Sequence, residues 1–222
     1  MCSQRKLKIL CIHGYRQTGD IFRQKIGALR KFLKKYAEFT FVTAPNEVPP
    51  INRDEAPPGD SSDQCGWWFS TPSNIFDSKQ YSEVCPGFEE SLVVIETTWK
   101  ESGPFDGLLG FSQGATFVSI LCGMQQRKLL DFSFQFAVMV AGFKSLCKPH
   151  DEHYTETVLI PTLHVFGESD KVIPKERSIQ LTKHFKDPVV LEHPGGHFVP
   201  AADAQKQTYI SFFESVHNIE TR

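Results

Sequence analysis

The stretch Asp106–Thr116, DGLLGFSQGAT, sets a serine between two glycines, behind one apolar run and ahead of a helix-forming one, QGATFVSILCGM. A G-x-S-x-G pattern in that strand-to-helix context is a nucleophile elbow. Glycines flank the serine because the turn is sharp, and a side chain at either place would collide with the neighbouring strand or helix. Ser112 is left at the apex, facing out of the sheet. Serine and glycine are common, so the pattern gains its meaning from partner residues farther down the chain.

A serine hydroxyl is a poor nucleophile unless a base takes its proton and a third group orients that base. The elbow therefore predicts an acid and then a histidine downstream. Asp170 lies in VFGESDKVIP, just past an apolar run, and His197 lies in the glycine-flanked loop PGGHFVP after the last such run. Alone, Asp170 reads as a turn residue and His197 as a surface-loop histidine. In the required order, each after an expected strand, they read with Ser112 as a catalytic triad. Glu168 is the rival orienter and His193 the rival base, while His164, inside an apolar run, reads as a core residue. The oxyanion that attack creates needs backbone N–H donors. These map to Gln113, next after the serine, and to Tyr15 in IHGYRQTG, with His13 and Gly14 shaping that loop.

Outward from the elbow, six apolar runs read as buried strands: 7–12, 39–43, 107–111, 136–141, 162–167 and 188–193. Amphipathic stretches separate them, which is the pattern of parallel strands joined by crossover helices. Phe22, Ile26, Leu29, Leu33 and Tyr36 predict one helix over 22–36, and others are expected at 87–101, 113–129, 175–185 and 203–217. The basic face between Arg23 and Lys35 reads as a solvated face, or as a dock for an acidic carrier. The reading is an α/β fold, one domain over 1–222 built on an open, mostly parallel sheet of about six strands flanked by helices.

The segment from Pro45 to Pro86 breaks the alternation, holding seven of the fourteen prolines and the acidic residues Asp54, Glu55, Asp60 and Asp63. No strand is expected in it, and it reads as an insertion or lid. Its GWWFS, Gly66–Ser70, is either a clamp that pins the loop or part of a substrate wall. Trp67, Trp68, Phe69 and Phe198 are the candidate substrate-binding residues, with Tyr15, Phe111, Phe143 and Val199 as further apolar candidates.

A net charge of −2 and a pI near 6.4 give no reason to expect nucleic acid or an acidic membrane surface as partner, so a small-molecule substrate is expected. The six cysteines form no C-x-x-C pair, and neither a signal peptide nor a membrane-spanning run is visible. Free thiols and a cytoplasmic, intracellular location are expected.

LCIHGYRQ, GWWFS, GPFDGLLGFSQGA, LHVFGESDKVIP and GGHFVP together resemble the FSH family of serine hydrolases, in order and over residues 7 to about 212. The resemblance implies an α/β-hydrolase fold shortened at its N-terminus, with no cofactor and no metal. It also implies hydrolysis of carboxylic esters with medium to long acyl chains by Ser112, Asp170 and His197. Two other readings stand beside the carboxylesterase: a thioesterase acting on acyl carriers, and a non-catalytic binding module on the same scaffold.

Overall fold

The computed structural model describes residues 5–49 and 64–219. In chain order the strands are β1 (Leu7–Ile12), β2 (Ala37–Val42), β3 (Asn46–Glu47), β4 (Cys65–Gly66), β5 (Gly107–Phe111), β6 (Phe136–Val140), β7 (Thr162–Gly167) and β8 (Val189–His193). The helices are α1 (Gly19–Lys25), α2 (Gly27–Leu33), α3 (Phe88–Ser102), α4 (Gln113–Gln126), α5 (Lys175–Thr182) and α6 (Asp203–Ile219), with a 3-10 turn at Lys148–Tyr154. The six expected strands form one sheet in the order β2-β1-β5-β6-β7-β8. Every neighbouring pair in it is parallel.

That order places the site. The chain starts at β1, steps outward to β2, then returns to the other side of β1 with β5, so loops leave the carboxyl ends of β1 and β5 in opposite directions and open a crevice. Ile12 pairs with Gly110, which sets the loop after β1 beside the turn after β5. At the opposite edge Asp106 ties the two strand starts together, accepting from the Arg5 guanidinium at 2.8 Å and from the Lys8 N–H at 2.6 Å.

Alternation along the strands fills two apolar layers. Leu7, Ile9 and Cys11 of β1 pack with Phe22, Leu29, Tyr209 and Phe213 of α1, α2 and α6 on one face. Leu10 and Ile12 pack toward Ile95 and Phe117 of α3 and α4 on the other. The sequence of α4 carries no charge and is mostly apolar, and every residue from Gln113 to Met124 is buried.

Two expectations are corrected. The single helix over 22–36 is two, because Ile26 leaves the helical region at φ −98°, ψ 21° just before Gly27. The ladder bends there without ending: the Ile26 N–H reaches the Phe22 carbonyl, and the Arg30 N–H reaches that of Ile26. The apolar stripe therefore runs across the break and hides it in the sequence. Within 45–86, where no strand was expected, β3 and β4 pair as a short antiparallel ribbon. Residues 50–63, with Asp54, Glu55, Asp60 and Asp63, lie outside the described residues. Among the described residues no helix is long and apolar enough to cross a membrane.

Candidate active site

Ser112 stands between β5 and α4 with φ 54° and ψ −118°, a conformation most side chains avoid. Its N–H donates to the Val140 carbonyl of β6 at 2.8 Å, which fixes the turn to the sheet. The flanking glycines answer a steric demand. A Cβ on Gly110 would overlap the backbone at Gly114 and Ala115, and one on Gly114 would overlap the carbonyl oxygens of Ile12 and His13.

Asp170 follows β7 and His197 follows β8, so both loops leave the same carboxyl edge as the serine turn. Gly167 allows the two loops to touch, since a Cβ there would overlap the Gly195 and Gly196 carbonyls. His197 Nδ1 donates to Asp170 Oδ2 at 2.7 Å. The Ser112 hydroxyl lies 3.0 Å from Nε2. A carboxylate only accepts, so the proton of the neutral ring sits on Nδ1 and the Nε2 lone pair faces the serine. Asp170 Oδ1 accepts from the N–H groups of Val172 at 2.8 Å and Ile173 at 2.9 Å. Burial alone would raise its pKa, but the His197 and backbone hydrogen bonds outweigh burial and hold it below the ordinary carboxylate value.

The alternatives lie elsewhere. Glu168 has an exposed side chain and is tied by its N–H to the His193 carbonyl. His193 is buried, accepts from the Gly195 N–H through Nδ1 at 3.2 Å and packs against Phe198. His164 is buried in β7 against Phe185.

A cavity of about 500 Å³ opens at Ser112 and His197. Tyr15, Phe76, Phe111, Val172 and Ile173 supply apolar wall, and Gln17, Asp77, Ser78 and Lys79 its polar rim. The four candidate substrate-binding residues are not among them. Trp67 and Trp68 are wholly buried and Phe69 nearly so, all three turned into the body of the protein. Trp67 packs on His13 and Phe117, and Trp68 on Phe76, Phe88 and His150. With His197 turned into the site, the next side chain, Phe198, turns away toward His193 and solvent. Phe143 is buried and Val199 packs, partly buried, against the apolar layer that includes α6, whereas Tyr15 and Phe111 do line the cavity. Sequence reasoning missed Phe76, Val172 and Ile173; the run VIP directly after Lys171 is the one signal that could have found the last two.

The N–H groups of Tyr15 and Gln113 make no hydrogen bond to another group among the described residues. Gln113 opens α4, where the first N–H groups have no intrahelical acceptor and the helix dipole is positive. His13 beside them is neutral: burial drives its pKa down to about 4. Among the described residues no group of three or more His, Cys, Asp or Glu side chains is arranged to hold a metal.

The family model for serine hydrolase (FSH1) matches residues 2–209. Esterase OVCA2 of Danio rerio is 49% identical over 94% of this chain and 96% of its own length. Esterase OVCA2 of Homo sapiens is 40% identical over 96% of this chain and 98% of its own. Among solved structures, Zea mays acyl-protein thioesterase 2 superposes with a TM-score of 0.64 at 16% identity, covering 97% of this chain and 96% of that one. Esterase PE8 gives 0.61 at 18% identity, covering 95% and 93%. At such identities these two show the fold, that of the α/β-hydrolases, while the family model and the close relatives carry the membership: the chain belongs to the serine hydrolase (FSH1) family.

Proposed function

We propose that this protein is a serine carboxylesterase acting through an acyl-enzyme on Ser112. The observation that carries the reading is the unbroken hydrogen-bond chain from Ser112 through His197 to Asp170 at the floor of an open, apolar-walled cavity. The Ser112 hydroxyl attacks the ester carbonyl while His197 Nε2 takes its proton, and the tetrahedral oxyanion is received by the Tyr15 and Gln113 N–H groups. His197 returns the proton to the departing alcohol. Water, deprotonated by the same nitrogen, then attacks the acyl-enzyme, and the acyl–Oγ bond breaks to release the acid as His197 passes that proton to Ser112 Oγ. Asp170 remains ionised throughout, holding the ring in its productive tautomer and stabilising the imidazolium.

The wall formed by Tyr15, Phe76, Phe111, Val172 and Ile173 supports an aliphatic acyl group of medium to long chain, and the volume suits a small-molecule substrate. The names of the relatives, esterases all, agree with ester chemistry. Ser112→Ala tests the assignment: it should abolish labelling by a fluorophosphonate and ester turnover while leaving the unfolding transition in place. Full labelling of that variant would overturn it. A series of matched oxygen and sulfur esters of increasing acyl length separates an esterase from a thioesterase by relative kcat/KM.

A further inference from the structure

We propose that the Gly66–Trp68 segment, gripped by the side chain of Gln113, positions the two oxyanion donors relative to each other. This rests on the hydrolase reading above. The donors belong to distant parts of the chain: the Tyr15 N–H hangs from the loop after β1, and the Gln113 N–H from the start of α4. A donor acts on the transition state only within about 2.7–3.1 Å of the oxyanion, so their separation must be held to a few tenths of an ångström.

Residues 65–68 touch both pieces. The Gln113 side chain is wholly buried and does not line the cavity. Its Oε1 accepts from the Trp67 N–H at 2.9 Å, and its Nε2 donates to the Trp68 carbonyl at 2.7 Å. The Trp67 indole N–H donates to the His13 carbonyl at 2.8 Å, two residues before Tyr15. On the other side of Tyr15, the Arg16 N–H donates to the Cys65 carbonyl at 2.9 Å and the Cys65 N–H to that of Gln17 at 3.1 Å. Gly66 completes the seat, because a Cβ there would stand 2.8 Å from the Tyr15 ring. His13 is in turn held from below, its Nε2 accepting from the Ala44 N–H at 2.9 Å. The aromatic pair that looked like a substrate wall is thus joined through hydrogen bonds to both halves of the oxyanion site.

Trp67→Phe keeps a ring in the core, deletes the indole N–H and leaves the His13 carbonyl without that donor. Gln113→Met, at similar volume, releases the segment from α4. Sites are counted by fluorophosphonate titration, and kcat, KM, the pH profile and the affinity for a tetrahedral boronate are then measured per titrated site. For both variants kcat per site should fall about 10- to 100-fold, short of the full loss of a donor. Boronate affinity should fall in parallel, with KM within about twofold and the pH profile unmoved, because His197 and Asp170 are untouched. Trp68→Phe removes the same N–H from a ring where, among the described residues, it meets no nitrogen or oxygen acceptor, only the weakly accepting Cys147 sulfur, so its loss should be much the smaller.

The proposal is overturned if kcat per site stays within twofold of the parent and only the number of titratable sites drops, or if the two tryptophan variants lose equally. Should Trp67→Phe not fold, Gln113→Met is judged by the same numbers. Ser112→Ala separates the two levels: if it keeps turnover, the hydrolase site and this proposal fall together. If it is dead while Trp67→Phe and Gln113→Met are fully active, the positioning role alone falls.

Discussion

Asp170→Asn replaces one oxygen by an NH2 group, and the structure dictates which one. Oδ1 faces two donors, the Val172 and Ile173 N–H groups, at 2.8 and 2.9 Å. An NH2 there would oppose both of them, so the amide oxygen takes that side and the NH2 is turned to His197 Nδ1, 2.7 Å from the replaced atom. It then donates to Nδ1 and drives the ring proton to Nε2, 3.0 Å from Ser112 Oγ, where a lone pair is needed. The base is present but carries its proton on the wrong nitrogen. The expected loss is about 10⁴ in kcat, or about 5 kcal/mol of transition-state stabilisation.

Asp170→Ala separates tautomer from stability. It removes the misdirecting amide but orphans two N–H groups, so it should be no less active than Asn and clearly less stable. The carboxylate also contributes to folding. Its pKa is depressed in the folded state, so that stability is complete above the ordinary carboxylate value and is lost as pH falls through the depressed one. The gap between parent and Asn variant in urea unfolding should therefore be full at neutral pH and close in acid. The decisive assay is p-nitrophenyl ester turnover per titrated site on folded protein. An Asn variant retaining more than about one-tenth of the parent kcat would refute the tautomer argument.

Three buried histidines make the fold acid-sensitive: burial lowers His13 to about 4, and His150 and His164 to about 3. Unfolded histidine binds protons from near 6.5 downward while these stay neutral, so at pH 5.5 each withdraws about 1.4 kcal/mol of stability, about 4 in all. His164→Leu should remove about a third of that pH dependence in urea titrations, and an unchanged slope would count against it. Gly114→Ala should prevent stable folding or cost more than about 3 kcal/mol, whereas Gly27→Ala, whose Cβ meets nothing within 4 Å, should be neutral or stabilising; equal urea midpoints would exclude the steric account. Phe76→Ala opens the cavity wall and should lower kcat/KM for a decanoyl ester about tenfold more than for an acetyl ester, about 1.4 kcal/mol of apolar contact. A uniform loss across the chain-length series would remove Phe76 from the acyl wall.

The sheet was legible because its four central strands, β1, β5, β6 and β7, are covered on both faces and read as apolar runs, and because the triad loops all come directly after strand runs. The order Ser112, Asp170, His197 could be read for the same reason. Direction in irregular chain could not be read. Trp67 and Trp68 are adjacent yet both buried, which a strand covered on one face forbids and a segment covered on two sides allows. Composition marked GWWFS as important without showing which way its rings point. The wall that lines the cavity includes Phe76, from a stretch with no periodicity, and Val172 and Ile173, whose N–H groups also hold Asp170. The split between α1 and α2 stayed hidden because the buried positions on either side keep helical spacing.

The helix that carries Ser112 has no side turned to water along Gln113–Met124. A serine at φ 54° stores on the order of 1–3 kcal/mol of backbone strain. Such strain persists only where the surroundings hold it, and here α4 is wedged among β1, β5 and β6. The serine turn and the core accordingly form one cooperative unit. Heat should not erode the candidate site ahead of the rest of the molecule: the serine turn persists intact until the interior opens, and then both disappear together.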